Sequence, residues 1–348
     1  MRDNYKIFAA ENLQKLCETY LERGITPALG MSVADMQEGK TLFEFFGGSE
    51  LPGGEGLKAG EDTLFHVASV TKIITAILTS LLVERGKLTL QDPVSEYFPD
   101  FPYQEVAIYH LMTHTAGFAG DAGLANPDTP ALKQEVWDRF CSLPRKYTPG
   151  SSMEYLSYYY NVIGMIIEKI TGKDIQTFAS EELFSPLGME RTGYGIRSAA
   201  GVPFMHFYSQ TAGKLAPAPI TEAPQGDSGM LTTAKELVRI GQLVLHKGIY
   251  KGERIFSEAT ADFLTRECTG GLFGRTPAFF TKKAGINQGI LPDNASMAAV
   301  AHHGMTGSIL FIDPCYQICA AITSNSERMH SDGRNYQRLL AAVLPLGE

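Results

Sequence analysis

A strongly apolar run from Ile73 to Val83 reads as a buried helix, and a short extended run, Leu64-Phe65-His66-Val67-Ala68, leads into it and ends at Ser69. Ahead of these, Met1 to Gly24 carries apolar residues at helical spacing (Ile7, Leu13, Leu16, Tyr20, Leu21) among charges. Pro27 to Ala34 and Thr41 to Phe46 read as two strands joined by a turn over Asp35 to Lys40, followed by a Gly- and Pro-rich loop from Gly47 to Glu61. Pro93 would open a short helix, and helical periodicity then dominates to Gly248: Ile108 to Thr113, Pro130 to Cys141, Tyr158 to Thr171, Ile175 to Phe184 and Ala234 to Lys247. Gly172 and Gly248 are natural helix stops. After a helix over Ser257 to Thr265, strand patterns return at Gly271 to Gly274, Met297 to His302, Ser308 to Ile312 and Gln317 to Thr323, and a final helix covers Gly333 to Val343.

Strands at both ends and helices between them predict an α+β fold. One antiparallel sheet would be built from the two ends of the chain, flanked by helices, with a mostly helical region inserted. On this division residues 1–92 and 249–348 form the α/β part and 93–248 the helical part of a single unit spanning 1–348. The joint between them would be a cleft, and Ser69 sits where the chain passes from one part to the other.

The 348 residues are 44% hydrophobic and 20% charged, values that suit a globular protein. The net charge of -8 argues against nucleic acid or an anionic membrane as a partner. Neither a signal-peptide core nor a membrane-length apolar segment is visible, so cytoplasmic residence is the expectation. The five cysteines (Cys17, Cys141, Cys268, Cys315, Cys319) are odd in number and lack a Cys-x-x-Cys pair, which fits neither a disulfide framework nor a zinc site. Cys315 and Cys319 read as small core residues of a hairpin.

The chemistry centres on Ser69. At the first turn of its helix, free backbone N–H groups and the positive dipole end favour developing negative charge. Lys72, three residues on, shares its face. A lysine in such an apolar stretch is costly to keep charged, and a neutral amine beside a hydroxyl is a general base beside a nucleophile.

Two further stretches bear on it: Pro149 to Ser157 with Tyr155-Leu156-Ser157, and Ala301-His302-His303-Gly304-Met305-Thr306-Gly307-Ser308. With Ser69 and Lys72 they resemble the three active-site motifs of the serine β-lactamase and penicillin-binding-protein superfamily, above all its class C branch with the related esterases and D-amino-acid peptidases. Gly86 to Val94, His110-Leu111-Met112-Thr113-His114-Thr115-Ala116-Gly117, Pro186 to Met189 and Gly229 to Ala234 also have ordered counterparts, so the likeness covers roughly residues 25 to 345. It implies a β-lactamase/transpeptidase-like fold, Ser69 as the acylated nucleophile, Lys72 as its basic partner and Tyr155 as the proton carrier. A tyrosine, ordinarily titrating near about 10, can serve so at neutral pH only beside positive charge. The oxyanion donors would be the N–H groups of Ser69 and Met305, with Gly304 letting the strand approach the substrate.

Two departures from the family stand out. Its Tyr-x-Asn is here Tyr155-Leu156-Ser157, so the amide that meets a substrate's acyl amide becomes a hydroxyl. Its Lys-Thr-Gly is here His302-His303-Gly304, which puts an imidazole, exposed and mostly neutral at pH 7, where a fixed cation would hold a carboxylate. Both changes favour a carboxylesterase acting on small-molecule esters over the alternatives: a β-lactamase, a D-amino-acid peptidase or transpeptidase, or a penicillin-binding sensor that scarcely turns over. His302→Lys would on this reading improve anionic β-lactams, unless Arg334 or another cation already reaches their carboxylate.

Other motifs carry less. Gly226-Asp227-Ser228-Gly229 looks like the active-serine motif of trypsin-like proteases, but the helical middle excludes their all-β barrel, and it reads as a tight loop on the cleft wall. His110 and His114 have zinc-like spacing, yet Leu111 stands where a zinc-protease helix has its glutamate. His302 and His303, adjacent on a strand, point to opposite faces. No cofactor or metal is implied. The loops Asp121 to Asp128 and Arg197 to Gln225 would shape the pocket.

Overall fold

The computed structural model describes residues 2–36, 40–120, 133–195, 202–216, 225–282 and 289–347. The Asp121 to Asp128 loop lies outside these residues, as do 197–201 and 217–224 of the Arg197 to Gln225 loop and 37–39 of the turn expected between the first two strands. The rest of the second loop is not irregular but holds the strands Phe204–Met205, Phe207–Ser209 and Lys214–Ala216. Helix α1 (Arg2–Glu22) is followed by β1 (Ala28–Asp35), β2 (Thr41–Gly48), β3 (Leu64–His66) and α2 (Thr71–Glu84). The middle holds α3 (Ser157–Thr171) and α4 (Ala234–Leu245), and the chain ends with β4 (Phe280–Thr281), β5 (Val300–His303), β6 (Ile309–Asp313), β7 (Ile318–Ser324) and α5 (Arg334–Val343).

The central sheet runs in the order β4-β5-β6-β7-β1-β2 and is antiparallel throughout, so strands from both ends of the chain do share one sheet. The seam is the β1–β7 pair, with Met31 opposite Ile322 and Val33 opposite Ala320. Both faces are covered, which is why β6 and β7 read as continuous apolar runs. Ile309, Phe311, Ile318, Ala320 and Ile322 join the cluster with α1 and α5; Leu310, Ile312, Cys319 and Ala321 join the one with α2, α3 and α4. Thr233 caps α4 by accepting from the Glu236 N–H, and Gly172, in the left-handed conformation, ends α3.

Several expectations are corrected. Gly271 to Gly274 is a turn, because Gly270, Gly271 and Gly274 all have positive φ and cannot continue a strand; the edge strand is β4 instead. The Ile175 to Phe184 helix is α-helical only to Ala179 and closes with a π turn over Ser180–Phe184. Cys319 is buried, but Cys315 is exposed on the hairpin. The middle also supplies strands: β3 pairs with Met230–Thr232 and Phe204–Met205, and Met230–Thr232 with Gly193–Tyr194. This small second sheet anchors the chain just before Ser69.

Candidate active site

Ser69 lies in a single 3-10 turn, Ala68–Val70, wedged between β3 and α2, not at the end of a continuous strand. The turn is held from three sides. The Val67 N–H bonds Met230 O at 3.1 Å, Thr71 Oγ1 donates to Ala68 O at 2.7 Å, and Thr306 Oγ1 donates to His66 O at 2.7 Å. Ala68, directly before the serine, has φ +47, a left-handed conformation costing a non-glycine roughly 1–3 kcal/mol. Strain of this kind persists only where the surroundings fix it, and here it presents a half-buried Ser69 at the surface of the fold.

The end of β5 closes on this turn. A Cβ at Gly304 would sit 2.3 Å from Val67 O and 3.0 Å from the Ala68 Cβ, so no other residue fits without moving the strand. The approach brings Met305, which is exposed, beside the Ser69 turn.

Lys72 is entirely buried on the first turn of α2. Its Nζ donates to Ser69 Oγ at 2.9 Å and to the Asp227 carbonyl at 3.0 Å. Ser157 Oγ, on the first residue of α3, is at 3.5 Å and the Asp227 carboxylate at 3.9 Å. The Nζ also faces two aromatic rings, 5.1 Å from the Tyr155 centroid and 5.8 Å from Tyr160.

Tyr155 precedes α3 in an extended segment and is half-buried. Its ring stacks on His114 at 4.3 Å, with Phe280 and His302 each at 6.2 Å. His114 has φ +59, and its Nδ1 accepts the Leu156 N–H at 3.3 Å while its carbonyl accepts the Glu154 N–H at 2.9 Å. The histidine thus holds the backbone on both sides of Tyr155. His110, its partner in the zinc-like spacing, accepts the Ala107 N–H through Nδ1 and caps its own helix. Among the described residues no group of three or more His, Cys, Asp or Glu side chains could hold a metal.

His302 is fully buried, which corrects the expectation of an exposed imidazole. It sits behind Tyr155 and behind the Phe280 ring, 5.3 Å away, which β4 supplies by pairing with β5 at Val300 and Ala301. Burial, then the charges of Arg275, Lys72 and His303, hold it well below the usual 6.5, so it is neutral at pH 7. Burial and the same two cations, Arg275 and Lys72, do likewise for His114. His303 turns to His330, with the two Nδ1 atoms 2.8 Å apart, and to Tyr336. Arg334 is exposed and paired with Asp332.

Three residues here were not singled out in the sequence as site residues. Asp227 belongs to the loop set aside as a cleft wall, and Gly226 before it packs where a Cβ would meet Tyr160 O at 2.0 Å. Arg275 is completely buried with its guanidinium 4.1 Å from the Phe280 ring centroid. His114 stood out in the sequence only for its zinc-like spacing to His110 and as part of the His110 to Gly117 stretch.

Residues 18–344 match the family model described as Beta-lactamase. The chain belongs to the β-lactamase family. Esterase EstB of Burkholderia gladioli is 27% identical over 316 residues, 76% of this chain and 78% of that protein. Penicillin-binding protein 4 of Amycolatopsis lactamdurans is 27% identical over 287 residues, covering 78% of this chain and 74% of it. Among solved structures, one titled "EstCE1, a hydrolase with promiscuous acyltransferase activity" superposes with TM-score 0.80 at 19% identity over 97% of this chain and 99% of its own. A penicillin-binding-protein homologue from Caulobacter crescentus gives 0.79 at 20% identity, covering 96% of each chain. These structures share the β-lactamase/transpeptidase-type fold of this member of the family, with its antiparallel sheet and flanking helices.

Proposed function

We propose that this β-lactamase-family protein is a serine carboxylesterase working through an acyl-Ser69 intermediate on small-molecule esters. The observation that carries the reading is the 2.9 Å contact of the buried Lys72 Nζ with the half-buried Ser69 Oγ, with the Tyr155 ring facing the same nitrogen. Ser69 Oγ attacks the acyl carbon, its proton passes by way of Tyr155 and Lys72 to the leaving alcohol, and water then releases the acid by the reverse route. The developing oxyanion is received by the N–H groups of Ser69 and Met305, which the Gly304 approach brings to one side of the cleft.

Esters are preferred over penicillins because the third motif offers no cation at the cleft surface. His302 is buried and neutral, and a penicillin carboxylate forfeits a charge-assisted bond of roughly 1.5–3 kcal/mol. Ser157 is too short to serve the acyl amide as an asparagine would. The relative named an esterase supports this reading, while the relative named a penicillin-binding protein keeps D-peptide and β-lactam substrates as the comparison set.

Intact-protein mass spectrometry after mixing with p-nitrophenyl esters and with benzylpenicillin tests both parts. A transient acyl mass on the wild type that Ser69→Ala lacks, with kcat/KM for short esters far above that for benzylpenicillin at pH 7 to 8, is the expected result. Efficient benzylpenicillin hydrolysis with negligible activity on several esters would replace the esterase by a β-lactamase. A stable penicillin adduct with no ester turnover would make the protein a sensor.

A further inference from the structure

Lys72 has three protons to place and is shut off from bulk solvent. Two are accounted for by Ser69 Oγ at 2.9 Å and the Asp227 carbonyl at 3.0 Å. The third direction falls between Ser157 Oγ at 3.5 Å, the limit of a hydrogen bond, and the Asp227 carboxylate at 3.9 Å. A fully buried cation is costly without a counter-charge, and Asp227 is the one carboxylate within 4 Å of Lys72 among the described residues.

Asp227 is itself buried and held in place. Its N–H donates to Asn161 Oδ1 at 3.2 Å, Ser228 Oγ donates to its Oδ1 at 3.2 Å, and Gly226 packs without room for a side chain against the Tyr160 carbonyl. One residue therefore touches the lysine twice, once through the main chain and once through its charge. We propose that Asp227 is a positioning residue of the proton-transfer machinery, its carboxylate being the counter-charge that keeps Lys72 an ammonium aimed at Ser69. Lys72 is then the hydrogen-bond donor to Ser69, and Tyr155, whose ring faces the same ammonium, accepts the serine proton. The inference rests on the acyl-Ser69 reading and goes beyond it by assigning a role to a side chain of the loop that the trypsin-like motif only seemed to explain.

The groups facing Lys72 bear on any pH effect. Tyr155 and Tyr160 lie over it, and His114, His302, His303 and Arg275 stand behind them, with the histidines neutral and Arg275 cationic. Asp227 is the single anion of this set, so removing its charge makes the neighbouring groups easier to deprotonate.

Asp227→Asn keeps the shape and removes the charge. The expected result is a fall in kcat/KM for a p-nitrophenyl ester of roughly ten- to a hundredfold, carried by kcat with KM little changed, the scale of a misplaced reacting group. The acid limb of the kcat/KM profile should also move to lower pH by about one unit. An unchanged rate with an unmoved acid limb would overturn the proposal. A second measurement does not depend on activity. In a Lys72→Met protein the buried Asp227 carboxylate is left unpaired, so adding Asp227→Asn should raise Tm, whereas the same change in the wild type should lower it. Equal shifts in the two backgrounds would show that the pair is not coupled and would sink the idea. Failure of Ser69→Ala to block acylation would instead count against the acyl-serine reading and leave this coupling test standing.

Discussion

The side chains gathered around Ser69 fall into two sides built from different materials. On the α2 side the polar atoms are matched: Lys72 meets Ser69, Ser157 and both ends of Asp227. On the β5 side the material is aromatic, with the half-buried Tyr155 stacked on His114 and backed by the buried Phe280 and His302, while the Nε2 atoms of both histidines have no hydrogen-bond partner among the described residues. On the proposed mechanism the first side moves the proton; the second holds the Tyr155 ring in place and covers one of its faces. Electrostatic contacts are worth more where water is excluded, so the dry wall strengthens what the polar side does.

Removing the reacting atoms breaks the polar side outright. Ser69→Ala should abolish acyl-adduct formation while leaving Tm near that of the wild type, since Ser69 is half-buried and its Oγ accepts from Lys72 without anchoring the fold. Labelling of the mutant by a phosphonate ester as strong as that of the wild type would show that another residue is the nucleophile. Lys72→Ala should be comparably damaging to turnover and also cost stability, because it strands the Asp227 carboxylate in a buried site.

Tyr155 joins the two sides, and on the proposed mechanism its hydroxyl is the part that carries the proton. Tyr155→Phe keeps the ring on His114 and should lower kcat by on the order of 10²-fold with little change in Tm. Wild-type rates in that variant would assign proton transfer elsewhere. His302→Lys, in contrast, should fail as a route to better β-lactam turnover. The position is fully buried behind Tyr155 and already lies near Lys72 and Arg275, so a third cation there should lower Tm sharply and not present a charge to the substrate. A stable His302→Lys protein with improved benzylpenicillin kcat/KM would show that the β5 side opens to the cleft.

The difference between the sides also explains what could be read from the sequence. The sheet was legible because both its faces are covered, which leaves unbroken apolar strands such as Ile309–Asp313 and Ile318–Ser324 at the far end of the chain from their partner Ala28–Asp35. Ser69, Lys72 and Tyr155 were legible through motif resemblance, and the structure brings them to one point. Asp227 was not, because its link to Lys72 spans 155 residues and depends on a loop folding over α2. The burial of His302 was not, because the Phe280 ring against it comes from β4, which is two residues long and carries no periodicity. The turn at Gly271 to Gly274 was missed because positive φ at three glycines cannot be told from a short strand by apolar pattern alone.

The smallest effect expected concerns the histidines of the dry side and needs no substrate. Burial lowers His66 to about 4, burial with the charges of His330, Arg275 and Lys72 lowers His303 to about 3, and His114 and His302 are held well below 6.5. In the unfolded chain each takes up a proton near pH 6.5, while in the folded protein each takes it up only at lower pH, His66 at about 4 and His303 at about 3. Below pH 6.5 the unfolded state therefore binds more protons. The stability these groups contribute is complete above 6.5 and is lost as pH falls toward their folded values. Each such histidine adds about 1.4 kcal/mol per pH unit to the slope once the pH is well under 6.5. His66 isolates one of them, since among the described residues neither of its ring nitrogens has a hydrogen-bond partner, so an apolar replacement gives up no bond there. Its carbonyl, which holds Thr306, remains in any variant. His66→Leu should leave ester turnover near the wild-type value and flatten the dependence of the urea midpoint on pH between 6 and 4.5 by about one proton. An unchanged slope would mean that His66 takes its proton in the folded protein as readily as in the unfolded chain, and that the wall under Ser69 admits water.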